Sequence, residues 1–365
     1  MEINYSYKEF FQHLYNSERP FFELNAETEE TYREWKKEFR EVLRDKLGLN
    51  LLADIVRRQN GGRKEIGLIE GEVTKEKGYI RKKYMMETLP SVWMPFYMLV
   101  PDGIDKEHPG KAMIAIPAHG ANKNTIAGVG ETKEEKEKIQ KFPKEAYGLS
   151  FVKKGYVVFC PDPPGYGERV EPMPSEDKTF LPEKERTSLD CSCKDLAQTA
   201  EAFGLSLTAL EIWDLIKLLD FMCRAEEVDK EHIGCGGFSG GGQYTMWLAA
   251  LDNRIRLAVV SGYVHGYYDS ILECHLCPCN YAPGLWKLGD ISDICALIAP
   301  RPLFIENGIS DVENGPIGIE GPKRQVEKIR KAYRLFHAEK QLEHVTPQGP
   351  HQWYGECYEF VSKYL

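Results

Sequence analysis

One serine of this chain sits among glycines. Residues 234–243 read GCGGFSGGGQ, with Ser239 near the centre. Ordered glycine costs roughly 0.5–1 kcal/mol relative to alanine, so so dense a run needs a structural reason. The order Gly237-Phe238-Ser239-Gly240-Gly241 suits a sharp strand-to-helix turn. Such a turn exposes the serine Oγ at the positive end of the helix, and the flanking glycines remove side chains that would clash. The backbone N–H of Gly240 then points at whatever that oxygen attacks. A Walker-type phosphate loop would need Gly-Lys-Ser/Thr, and no lysine stands here.

A serine hydroxyl is a poor nucleophile near neutral pH. It needs a histidine to take its proton and a carboxylate to orient that histidine. With this turn the three follow in the order nucleophile, acid, base. His337, His344 and His351 follow RPLFIENG. His351, in TPQGPHQWYGE just past the last expected strand, is the expected base. His344 falls within a strand, and His337 near a helix end. For the acid, Asp311 falls in the loop after the strand in FIENGISDVENG. Glu306 reads as a packed carboxylate, Asp269 is a rarer placement, and Asp290 and Asp293 look like helix-start residues. A second oxyanion donor is expected from IPAHGANKN: Ala121, with Gly120 behind it. One such donor contributes roughly 10²–10³ in rate. His119 is expected to hold that loop by hydrogen bonding rather than to act as a base.

These residues need a scaffold that gathers loops at one edge. Helical spacing of Tyr32, Trp35, Phe39, Val42 and Leu43, with Asn25 as N-cap and Gly48 as stop, makes the first ~50 residues helical. EIGLIEGEV and VWMPFYMLVP read as strands. KAMIAIPAHG, GYVVFCPDPPGYGER, HIGCGGFS, IRLAVVSG, RPLFIENG and QLEHVTPQ then alternate with amphipathic helices. The expected architecture is α/β: a mostly parallel sheet with helices on both faces. Residues 1–65 form a helical N-terminal extension and 66–365 a catalytic domain. Residues 122–147 are a lid-like insertion, in which the charged run ETKEEKEKIQK is a solvated helix. Ligands of such sheets bind at the carboxyl ends of the strands.

The 365 residues carry a net charge of −9, which argues against nucleic acid as a partner. No apolar run reaches ~18 residues, so no membrane span is expected. The N-terminus lacks the pattern of a signal peptide, and ten cysteines then imply reduced thiols and a cytoplasmic setting.

The motifs HGAN, PDPPGYGER, GGFSGGGQ, CNYAPGL, DICALIAPRPLFIENGISD and GPHQW together resemble the α/β-hydrolase superfamily. More narrowly, they resemble the dienelactone hydrolase-like and acetyl xylan esterase-like bacterial esterases. The resemblance covers residues ~70 to the end and implies ester hydrolysis through an acyl-serine on Ser239, Asp311 and His351. It also implies a short acyl group, such as acetate on a carbohydrate or small molecule. The run SDVENGPIGIEGP after Asp311 is longer than the group's compact loop, and the N-terminal helices lie outside its core. They are left to cap the pocket, pack on the core or form a homodimer.

Tyr166 and Trp353 are candidates to line a carbohydrate pocket. CHLCPC (Cys274, His275, Cys277, Cys279) and CSC (Cys191, Cys193) have the short spacing of zinc ligands. Triad chemistry needs neither metal nor cofactor, so ordinary thiols are expected over a metal site or a disulfide. Rival readings are a lactone, thioester or peptide hydrolase, or a receptor on a hydrolase scaffold.

Overall fold

The computed structural model describes residues 5–59, 67–171 and 187–365. The expected domain boundary at 65–66 lies outside them. A nine-stranded sheet runs β1 (Leu68–Glu76), β2 (Tyr79–Leu89), β3 (Val92–Pro101), β4 (Gly110–Ile116), β5 (Val157–Pro161), β6 (Val228–Phe238), β7 (Ile255–Ser261), β8 (Leu303–Glu306) and β9 (Leu342–Val345). The spatial order is β1-β2-β3-β5-β4-β6-β7-β8-β9. The first three strands form an antiparallel meander, and β3 also pairs antiparallel with β5. All remaining pairs are parallel. The mostly parallel sheet expected from the alternation is therefore present.

Strand side chains alternate between two apolar layers, as the two-residue period requires. Ile114, Phe96 and Val260 face one layer, and Met113, Leu99 and Val259 the other. The first layer includes Tyr32, Phe39, Leu43 and Leu47 of the helix Glu29–Leu47. That helix starts at Thr28, whose side chain caps it, three residues later than the expected Asn25, and stops at Gly48 (φ 93°) as expected. Its Tyr32 hydroxyl donates to the carbonyls of Ala296 (2.7 Å) and Ala299 (3.0 Å). This helix thus packs into the main core.

The charged segment forms the helix Lys133–Lys141. It is clamped down through buried Glu135, which accepts from Asn122 Nδ2 (2.7 Å) and Asn124 Nδ2 (3.1 Å). Among the described residues, no helix is long and apolar enough to cross a membrane.

Candidate active site

Ser239 joins β6 to the helix Gly240–Leu251 with φ 55° and ψ −119°, a left-handed conformation that a non-glycine residue adopts only under constraint. Its N–H is held by the Ser261 carbonyl at 2.9 Å, and its carbonyl accepts from Gln243 N at 2.9 Å. The glycine run is explained by close approach. A Cβ on Gly241 would lie 2.1 Å from the Ile116 carbonyl oxygen, and one on Gly237 would lie 2.4 Å from the Gly241 carbonyl. Both neighbours are backbone and have no rotamer by which to move away.

His351 and Asp311 meet as the sequence implied. His351 Nδ1 lies 2.7 Å from Asp311 Oδ2, and Asp311 Oδ1 also accepts from Glu313 N at 2.8 Å. The imidazole packs on Phe238, the residue before the serine, with ring centroids 4.5 Å apart. A Cβ on Gly262 would sit 3.2 Å from His351 Cε1, so the ring lies over the end of β7, whose Ser261 holds Ser239. Nε2 makes no hydrogen bond among the described residues. Glu313 Oε2, a neighbour that sequence reasoning missed, lies 3.4 Å from it.

Burial works to lower the His351 pKa. The hydrogen bond to Asp311 and the charges of Glu313 and Asp311 outweigh it, and the net shift is upward. Burial pushes the Glu313 carboxyl up as well, against the pull of His351. His265, fully buried nearby, is held neutral with a pKa lowered to about 3, first by burial. Both of its ring nitrogens are unpartnered among the described residues.

The alternatives for the acid have other work. Glu306 is buried at the end of β8. It accepts from Ser261 Oγ (2.7 Å), Tyr354 N (3.1 Å) and Glu356 N (3.3 Å), and so anchors the loop that carries His351. Asp290 and Asp293 form the capping box of the helix Ile291–Ala296. Asp269 packs against Gly266 and Gly315. His344 Nε2 contacts Asn307 Oδ1 at 3.2 Å.

The oxyanion expectation needs one correction. The Ala121 N–H is engaged by the Ala118 carbonyl at 3.0 Å, closing a turn. Gly120, the fallback, sits at that turn with φ 67°. Neither its N–H nor that of Gly240 bonds a protein acceptor among the described residues. His119 is wedged against the nucleophile turn: a Cβ on Gly240 would lie 2.7 Å from its Nδ1. The loop is fixed from below by Lys123, whose N–H and ammonium both bond Asp162, at 2.7 and 3.1 Å, and whose ammonium also meets Glu168 at 2.5 Å. Lys123 and Asp162 are fully buried.

The aromatic candidates are buried. Trp353 stacks on Tyr147 at 4.4 Å in the core layer, so it offers no platform to a carbohydrate. That expectation is corrected. Tyr166 is enclosed with its ring 5.6 Å from His119 and its hydroxyl unpartnered among the described residues. A cavity of about 610 Å³ lies between the helix Lys8–Ser17 and the segment 278–287, and Ser239, Asp311 and His351 do not line it.

The cysteine motifs are rearranged relative to the sequence reading. Cys274 stands apart, its Sγ against the Val312 carbonyl at 3.6 Å. Cys193, Cys277 and Cys279 instead converge with His119, their donor atoms all within 4.8 Å of one another.

A family model described as an Abhydrolase family matches residues 4–266. The chain belongs to this family. The match begins within the N-terminal region, so the helices there belong to this abhydrolase's family pattern. A Bacillus subtilis (strain 168) protein named "Putative hydrolase YtaP" is 31% identical over 149 residues, 37% of this chain and 44% of that protein. The abhydrolase thus matches less than half the length of that relative. Among solved structures, a "putative acetyl xylan esterase" from Bacteroides fragilis NCTC 9343 aligns over 94% of this chain and 83% of its own, with TM-score 0.73 and 20% identity. Methylesterase BT1017 aligns over 93% and 64%, with TM-score 0.65 and 18% identity. Acetyl Xylan Esterase 1 from Thermoanaerobacterium sp. JW/SL YS485 aligns over 90% and 92%, with TM-score 0.53 and 14% identity. At these identities the likeness is one of fold, and the α/β-hydrolase architecture is shared.

Proposed function

We propose that this abhydrolase is a serine esterase that cleaves a short acyl ester, such as an acetyl group on a carbohydrate or small molecule. One observation carries the reading: a strained serine at a helix N-terminus directly follows Phe238, on whose ring packs a histidine that is hydrogen-bonded to a buried carboxylate at 2.7 Å. Ser239 Oγ attacks the ester carbonyl while its proton passes to His351 Nε2. Catalytic hydrogen bonds of this kind are often long before substrate binds and tighten in the complex. The N–H groups of Gly240 and Gly120 stabilise the oxyanion, and Asp311 holds the imidazole tautomer and its developing charge. Collapse breaks the bond to the alcohol, which takes the proton from His351. Water then attacks the acyl-serine, giving its proton to the same histidine; the bond to Ser239 Oγ breaks, the acid leaves, and His351 returns the proton to Oγ.

The His265 imidazole, buried beside Asp311 and His351, has both ring nitrogens unpartnered among the described residues, and buried polar groups normally find partners. The names of the structural neighbours point toward acyl esters of carbohydrates. The decisive experiment is active-site labelling by a fluorophosphonate alongside turnover of 4-nitrophenyl acetate and acetylated xylo-oligosaccharides. Ser239→Ala is expected to abolish labelling and lower kcat by on the order of 10⁶. Labelling that persists in that variant, or a wild-type chain that turns over no ester, would refute the reading.

A further inference from the structure

From the convergence of Cys193, Cys277, Cys279 and His119 we infer a structural site for one divalent metal ion of the zinc class, placed directly beneath the oxyanion loop. The donors come from three separate stretches of chain. His119 follows β4, Cys193 opens the helix Cys193–Ala202, and Cys277 and Cys279 bracket the turn at Pro278. Their donor atoms lie within 4.8 Å of one another. Cys193 and Cys277 approach to 3.1 Å between sulfurs, and His119 Nε2 lies 3.3 Å from Cys279 Sγ. Bonds of ~2.3 Å to sulfur and ~2.0 Å to nitrogen in a tetrahedron set donors roughly 3.5–3.8 Å apart. Sub-ångström to ångström adjustments of these side chains, widening the two short pairs, accommodate an ion at their centre.

Chemistry and surroundings agree. Three thiolates and one imidazole form a closed donor set, characteristic of structural rather than catalytic zinc. Hard-cation sites are built from oxygen donors, which are absent from this set. The supporting hydrogen bonds are in place. Asn280 Nδ2 donates to Cys279 Sγ (3.5 Å), while Gln243 Nε2 (3.1 Å) and Thr208 Oγ1 (3.2 Å) hold the Cys279 carbonyl. Such outer contacts orient ligands and tune the ion. Gln243 belongs to the helix that starts at the nucleophile, and His119 presses its other nitrogen against Gly240. The ion therefore ties the turn bearing Gly120 to the Cys193 helix and the Cys277–Cys279 turn, which Gln243 in turn holds to the helix behind Ser239. This last consequence rests on the esterase reading; the metal site itself does not.

The test is metal analysis of the full-length protein, purified without chelator, by inductively coupled plasma mass spectrometry, with cobalt(II) refilling after chelation. One zinc-class ion per chain is expected. Cobalt uptake should give the intense visible bands of a tetrahedral ion and thiolate-to-metal charge transfer. Cys277→Ala and Cys193→Ala should each lose at least tenfold in retained metal. Cys274→Ala, in the same motif but outside the cluster, should keep it. Three results would overturn the inference: a chain that neither carries nor takes up metal, with all ten cysteines titrating as thiols; an intact mass two hydrogens light that marks a disulfide within the cluster; or metal loss from Cys274→Ala with retention in Cys277→Ala. Because wild-type metal content is read directly, a variant that fails to fold does not decide the matter. Fluorophosphonate labelling separates the two proposals. A chain that binds metal but resists labelling sinks the esterase and leaves the metal site standing.

Discussion

At the scale of single residues, the site turns on which nitrogen of His351 meets which carboxylate. Asp311 takes Nδ1, while Glu313 lies 3.4 Å from Nε2, the nitrogen that the esterase proposal gives to the serine. Two negative charges around one imidazole stabilise its protonated form, and the pKa stands above the ordinary imidazole value despite burial. Only the neutral ring can accept the serine proton. Activity should therefore fall on the acid side as pH drops through the raised pKa, so the acid limb lies above the position an unperturbed histidine would give. Glu313→Gln removes one of the raising charges and should move that limb to lower pH, while Asp311 still fixes the tautomer. A pH profile of kcat/KM for 4-nitrophenyl acetate checks this. A limb unmoved, or moved upward, would show that Glu313 does not act on His351 electrostatically.

At the scale of elements, the loops after β4 and β5 are one unit held by a buried charge pair. Lys123 and Asp162 are both closed to solvent, and Asp162 also accepts from the Glu168 N–H at 3.1 Å. Removing one partner of such a pair leaves the other charge buried and uncompensated, which costs about 3–5 kcal/mol. Glu168 remains 2.5 Å from Lys123, so Asp162→Ala should lower stability by about 3 kcal/mol, toward the small end of that range. It should also reduce kcat by loosening the Gly120 turn. Urea unfolding compared with ester turnover tests both. The motifs HGANK and PDPPGYGER were visible in sequence as separate loops; what joined them was not, because a lysine and an aspartate 39 residues apart look like ordinary surface charges. The same limit hid β2. Its stretch YIRKKYMMETL carries three consecutive cations, which break the apolar alternation by which strands are read, although Tyr79, Tyr84 and Met86 point inward. The nucleophile turn was legible because its glycines answer a local steric demand. The convergence of Cys193 and Cys279 on His119 was not, since only the folded sheet brings those loops together.

At the scale of the whole molecule, the helix Glu29–Leu47 is part of the main core. Phe39 is fully buried in the same apolar layer as Ile114, Cys235 and Val260, and stacks on Phe22 at 4.9 Å. Arg40 Nε donates to the Ala250 carbonyl at 2.6 Å, at the far end of the helix that begins beside Ser239. Leu24 N is held by Asp293 Oδ1 at 2.9 Å, and Ser206 N by the Leu47 carbonyl at 3.0 Å. These bonds tie residues 24–47 to three distant stretches of chain, so the helix Glu29–Leu47 cannot leave without opening the layer that backs the helix Gly240–Leu251. Phe39→Ala should therefore cost about 3–5 kcal/mol. The loss should appear in a single transition in which tryptophan fluorescence and fluorophosphonate labelling decline together, since one shared core unfolds as a unit. An appended helical module would behave differently. Its fluorescence would melt first while labelling of Ser239 persisted, and that separation of the two curves would show that the N-terminal helices stand apart from the active site.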